Sequence, residues 1–255
     1  MTMSSIELER SLRALRLSGM AQTLHARALA VDSNTMNFME GFGWLVQDEL
    51  DRRQSRLLER RFALSGLQER KDLKAFDWTY NPKLPKRDIL ELCALKFIDA
   101  KEDALLIGPP GTGKSFVAKA VALMAVQRGY KVLYREAHQL IEDIVEARAL
   151  GNIRKHRAQI KAVDLLIIDD LFLRRLPPTA GDELADLLMS RYEKASTLIT
   201  SNRPFSDWAQ LMGGDVVLVA PLLDRLLHHG RPLNFDGKSW RLKEAAERSI
   251  DQASG

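Results

Sequence analysis

Gly108-Pro109-Pro110-Gly111-Thr112-Gly113-Lys114-Ser115 is the stretch from which the rest of the chain can be read. The apolar run Ala104-Leu105-Leu106-Ile107 enters it, and a segment with helical spacing leaves it. A phosphate-binding loop requires this passage from strand through loop to helix. Its glycines let the backbone curl until the N–H groups face the β- and γ-phosphates, and the following helix N-terminus adds a favourable dipole. Lys114 supplies positive charge to the phosphates, and Ser115 supplies a hydroxyl ligand for Mg²⁺. Residues 108–115 therefore predict an ATP site with Mg²⁺ as its metal.

Beyond this loop, short apolar runs alternate with helical stretches, the signature of a parallel sheet with crossover helices. Strands are expected at 104–107, 132–134, 165–169, 197–201 and 233–235, and helices at 114–128, 137–150, 179–194 and 221–229. The run Leu165-Leu166-Ile167-Ile168 ends in Asp169-Asp170. A carboxylate pair at a strand's C-terminal edge beside a phosphate loop serves the metal and the attacking water: Asp169 would hold Mg²⁺ through its water shell and Asp170 would polarise the water. Asn202, closing the next strand, can orient that water or touch the γ-phosphate if its strand neighbours that of Asp169. Arg225, in Asp224-Arg225-Leu226-Leu227-His228-His229, is the candidate finger that meets a neighbouring subunit's γ-phosphate. The two histidines point about 100° apart on a helix and do not suit one metal.

Upstream, apolar residues recur every three or four positions over the first eighty residues, which predicts helices. Arg52, Arg56 and Arg60 stand four apart and share one helical face, either a solvated face with Arg–Glu pairs or a surface for nucleic acid or a partner. Pro82 and Pro85 break the pattern, and Pro85 suits a helix start. The expected organisation is a helical N-terminal domain over 1–84, for DNA, partner or self-association, followed by an ATPase domain over 85–255. Residues 1–87 carry 15 basic and 11 acidic residues and 88–255 carry 23 of each, so the net charge of +4 lies wholly in the N-terminal third. An acidic partner such as nucleic acid fits that bias. Further basic candidates are Arg154, Lys155, Arg157 and Lys161, read as a loop after a helix, and Arg174 and Arg175 after the carboxylate strand.

The 255 residues, 45% hydrophobic, hold no apolar run that approaches a membrane span, and a charged start replaces any signal-peptide core. Cys93 is the single cysteine and reads as a core residue. A soluble protein of a reducing cytoplasm, without membrane partners, is expected.

With these residues in view the chain resembles the IstB-like ATPases that assist bacterial insertion-sequence transposases, a branch of the AAA+ superfamily close to the DnaC helicase loaders. Besides the phosphate loop, the resemblance rests on Leu17-Ser18-Gly19-Met20-Ala21, Phe76-Asp77-Trp78 with Asn81-Pro82, and Arg191-Tyr192-Glu193. It rests also on Ser196 to Pro204, Asp224 to His229, and Gly237-Lys238-Ser239-Trp240-Arg241-Leu242. It implies an AAA+ sheet, Asn202 as first sensor, Arg225 as a finger acting on a neighbour and Arg241 as a second γ-phosphate sensor. The superfamily usually has glutamate where Asp170 stands, and the shorter side chain reaches about 1.5 Å less far. The resemblance further implies a homo-oligomer with ATP sites between subunits, assembly on duplex DNA with little sequence preference, and delivery of that DNA to a cognate transposase. Two other readings use the same loop: a helicase-loader-like ATPase in replication, and a kinase of a small metabolite.

Overall fold

A computed structural model of the chain describes residues 3–33, 35–173, 175–212 and 216–253. The chain divides into two compact units, Met1–Arg60 and Arg61–Gly255.

The first unit is helical, as its periodicity predicts. Helix α1 (Ser5–Ala14) begins with a reciprocal cap: the Ser4 hydroxyl accepts from the Glu7 N–H, and the Glu7 carboxylate accepts from the Ser4 N–H at 2.8 Å. Helix α2 (Ser18–Asp32) opens on a carboxylate from α3 (Phe38–Leu64), because buried Glu49 accepts from the Gly19 N–H at 2.6 Å. Arg27 pairs with Asp48 at 3.0 Å and ties the same helices. Residues 1–60 carry eight basic and eight acidic side chains, while 61–87 carry seven and three. The charge excess therefore sits after the helical unit, not in it.

Among its described residues the second unit holds five parallel strands: β1 (Asp103–Ile107), β2 (Val132–Glu136), β3 (Leu165–Leu171), β4 (Ser196–Ser201) and β5 (Gly230–Asn234). Their order is β2-β3-β4-β1-β5. Strand residues alternate between two cores. Ala104, Leu106, Leu165 and Ile167 pack with α4 (Lys86–Cys93), α5 (Lys96–Asp99) and α6 (Lys114–Arg128). Leu105, Ile107, Leu166 and Ile168 face the opposite core, with α7 (Ala137–Ala149), α8 (Ile153–Lys161), α9 (Pro178–Arg191), α10 (Phe205–Leu211) and α11 (Val216–His228). Helix α12 (Trp240–Ala253) ends the described chain.

Two expectations differ from this architecture. The compact units part after Arg60, not after residue 84: Phe62, Leu67, Leu73, Phe76, Trp78 and Leu84 all pack into the first sheet core, so 61–84 belongs to the sheet unit. Residues 153–161, read as a loop, form α8, whose Ile153, His156 and Ile160 turn inward. No helix among the described residues is long and apolar enough to cross a membrane.

Candidate nucleotide site

Strand order builds the site. Because β4 lies between β1 and β3, the loop after β1, the carboxylates ending β3 and Asn202 after β4 reach one sheet edge. They border a cavity of about 540 Å³, lined by residues 110–115, Asp170, Asn202, Arg241, Phe76 and Tyr80 among others.

The loop could not be built without its glycines. Gly111 and Gly113 have φ of +78° and +101°, and a Cβ on them would come within 2.1 Å of Ser239 and 2.7 Å of Phe76. Lys114 is buried, and its Nζ donates to the carbonyls of Gly108 at 2.6 Å and Pro109 at 2.7 Å. Burial pushes its pKa down to about 8, against the opposing pull of Asp170 and Asp169. The Thr112 hydroxyl donates to the Pro109 carbonyl at 2.9 Å and closes the curl.

The paired carboxylates sit differently. Asp169 is buried and accepts from the hydroxyls of Tyr134 and Thr200. At Asp170 the β3–β4 register shifts and φ turns to +54°, which brings this side chain to the cavity while Asp169 stays behind it. Burial and the Asp169 charge push the Asp170 pKa up, opposed by Arg241 and Lys114. The Asn202 side-chain oxygen is buried and, among the described residues, has no hydrogen-bond partner.

Pieces distant in sequence frame the loop. Asn81 donates to the Lys238 carbonyl at 2.9 Å and accepts from the Lys238 N–H at 2.8 Å. The Tyr80 hydroxyl donates to the Ser239 carbonyl at 3.1 Å, and the Trp240 N–H to the Gly111 carbonyl at 2.9 Å. Arg241, in the first turn of α12, is thereby carried to the cavity beside Lys114 and Asp170.

The curled loop, a buried lysine, two carboxylates of unlike exposure and an orphaned amide oxygen fit a triphosphate with Mg²⁺: Ser115 and Asp169 are the residues that would hold the metal. The family model described as "IstB-like ATP binding protein" matches residues 10–248. The chain belongs to the IstB-like ATP-binding family. It is 36% identical over 230 residues to the protein named as the ATP-binding protein of insertion sequence IS5376 from Geobacillus stearothermophilus, covering 90% of this chain and 91% of that one. To its counterpart in insertion sequence IS21 of Pseudomonas aeruginosa it is 32% identical over 244 residues, 96% and 92% of the two chains. The crystal structure of DnaI shares the fold, with a TM-score of 0.55 at 20% identity over 67% of this chain and 90% of that one. This IstB-like chain is thus an ATP-binding protein with a P-loop fold, and an ATPase.

The remaining candidates lie elsewhere. Arg225 is exposed on α11 and does not line its own chain's cavity; its guanidinium sits 5.6 Å from the centre of the Tyr192 ring, with Met189 Sδ at 2.9 Å. Arg52 is half-buried and donates to Ser18 at 3.1 Å and to Gln22, so it leaves the exposed face that Arg56 and Arg60 keep. Arg157 is engaged by Glu183, together with Arg148, while Arg154, Lys155, Lys161 and Arg175 are exposed. Arg174 lies outside the described residues. Sequence reasoning missed Tyr134 and the framing role of Tyr80 and Asn81. A hydroxyl in the strand beside the carboxylate strand was the available signal for the first.

Proposed function

We propose that this ATPase assembles on duplex DNA, completes its ATP sites between subunits, and delivers target DNA to a cognate transposase. The position of Arg225 carries the reading: an exposed guanidinium away from its own chain's cavity is available to a neighbour's phosphates. Within one subunit, Lys114 and Arg241 bind the phosphates, Asp170 polarises the water, and Asn202 orients it through its unpartnered oxygen. Mg²⁺, when bound, neutralises charge on the β- and γ-phosphate oxygens. Arg225 of a second subunit supplies the donor for charge developing on the transferred phosphoryl group.

The relatives matched over nearly their whole length are named for insertion sequences, which favours transposition over helicase loading or metabolite phosphorylation. For DNA, the exposed cations Arg154, Lys155 and Lys161 on α8, Arg175, and Arg56 and Arg60 on α3 are the proposed phosphate contacts; Arg52 and Arg157 are withdrawn from that set by their partners. Contacts of this kind position a protein on DNA and read little sequence.

The test is phosphate release with and without duplex DNA of unrelated sequences, with particle mass measured in parallel. Stimulation by every duplex, accompanied by ATP-dependent growth in mass, is expected. A rate indifferent to DNA, or one raised by a small acceptor molecule, would contradict the proposal.

A further inference from the structure

Asp169 is gripped from both sides. The Tyr134 hydroxyl on β2 donates to its Oδ2, and the Thr200 hydroxyl on β4 donates to its Oδ1. The Thr200 oxygen also accepts from the Asp170 N–H at 2.9 Å. Three adjacent strands thus converge on one carboxylate, and all three side chains are buried. The Tyr134 ring packs in the first sheet core, which does not itself require the hydroxyl.

We propose that Tyr134 and Thr200 are positioning residues that fix the Asp169 carboxylate for Mg²⁺, and that Thr200 also holds Asp170 in its left-handed conformation. This rests on the reading of Asp169 as the metal-facing carboxylate. A carboxylate offers about four lone-pair sites. The two hydroxyls take one on each oxygen, leaving the others for the metal's water shell, and they stop the group from rotating. Partners of this kind orient metal-facing groups, and their removal costs roughly 10-fold or more in metal affinity.

The experiment titrates Mg²⁺ against binding of a fluorescent ATP analogue, and separately against hydrolysis, in Tyr134→Phe, Thr200→Val, Thr200→Ser and Asp169→Asn. Tyr134→Phe is expected to raise the half-saturating Mg²⁺ concentration about 10-fold in both titrations, with metal-free nucleotide affinity unchanged. Thr200→Val should do the same and stay slow at saturating Mg²⁺, because Asp170 loses its anchor; Thr200→Ser should restore both. A role in packing alone would lower the melting temperature without moving the Mg²⁺ dependence. If Tyr134→Phe and Thr200→Val match the wild type while Asp169→Asn loses Mg²⁺ dependence, the clamp is wrong and the metal assignment stands. If Asp169→Asn also matches the wild type, both are overturned.

Discussion

Lys114 and Asp170 are displaced from their ordinary ionisation in opposite senses, and each displacement fixes a pH dependence. Lys114 titrates near 8 in the free protein because it is buried. Bound phosphates favour its charged form, so above that pH ATP binding must take up a proton, and affinity should fall by up to about tenfold per pH unit. Calorimetry in buffers of different ionisation enthalpy checks this; a constant affinity from pH 7.5 to 9.5 would contradict it. Stability of the nucleotide-free protein carries the opposite sign. With the folded pKa below the unfolded one, the unfolded chain binds more protons between about 8 and the ordinary lysine range, so the Lys114 contribution rises with pH across that window. Lys114→Ala should abolish ATP binding. Asp170 is raised, so hydrolysis should show an acid limb above the usual carboxylate range, and Arg241→Ala, which removes an opposing charge, should move that limb to higher pH. Asp170→Asn should retain nucleotide but lose about 10²- to 10⁴-fold in turnover. Wild-type hydrolysis in that variant would assign the water to another residue.

Among the elements, the junction at 76–81 and the segment at 237–241 work as one frame around the phosphate loop. Asn81→Ala removes two hydrogen bonds to Lys238 and should cost about 1–3 kcal/mol of stability in denaturant titration. It should also weaken ATP binding, because Arg241 is carried by the released segment; unchanged affinity would separate the frame from the site. The sequence showed these pieces individually, since Phe76, Asn81 and the stretch around Trp240 each resemble the family, but their meeting is a long-range contact that periodicity cannot express. Helix α8 was hidden for another reason. Ile153 and Ile160 are the apolar residues turned inward along a highly charged segment, so the apolar stripe is too thin to declare a helix. Neutralising Arg154, Lys155 and Lys161 together should reduce the salt slope of DNA binding by about 0.9 for each phosphate that α8 no longer neutralises. An unaltered slope would make α8 a solvated surface and leave Arg56, Arg60 and Arg175 to be tested.

For the molecule as a whole, local strand and helix patterns were legible because each apolar run carries its own period, and all five strands lie close to their expected positions. Strand order was not legible. That β4 separates β1 from β3 follows from pairings such as Ala104 with Leu198, far apart in the chain, and it is this order that brings Asn202 to the carboxylates. The compact units part well before Pro82 and Pro85, which interrupt a segment already packed on the sheet. The charge excess moved with it, into 61–87, whose Lys71 borders the nucleotide cavity. The central claim is that two subunits make one active site. Arg225→Ala subunits mixed with Lys114→Ala subunits, each inactive alone, test it most directly. Interfaces that pair the intact loop of the first with the intact arginine of the second should recover part of the wild-type turnover, and Arg225→Ala alone should still bind ATP while losing about 10³-fold in hydrolysis. A mixture that exchanges subunits freely yet stays inactive, with wild-type specific activity independent of protein concentration, would contradict the account.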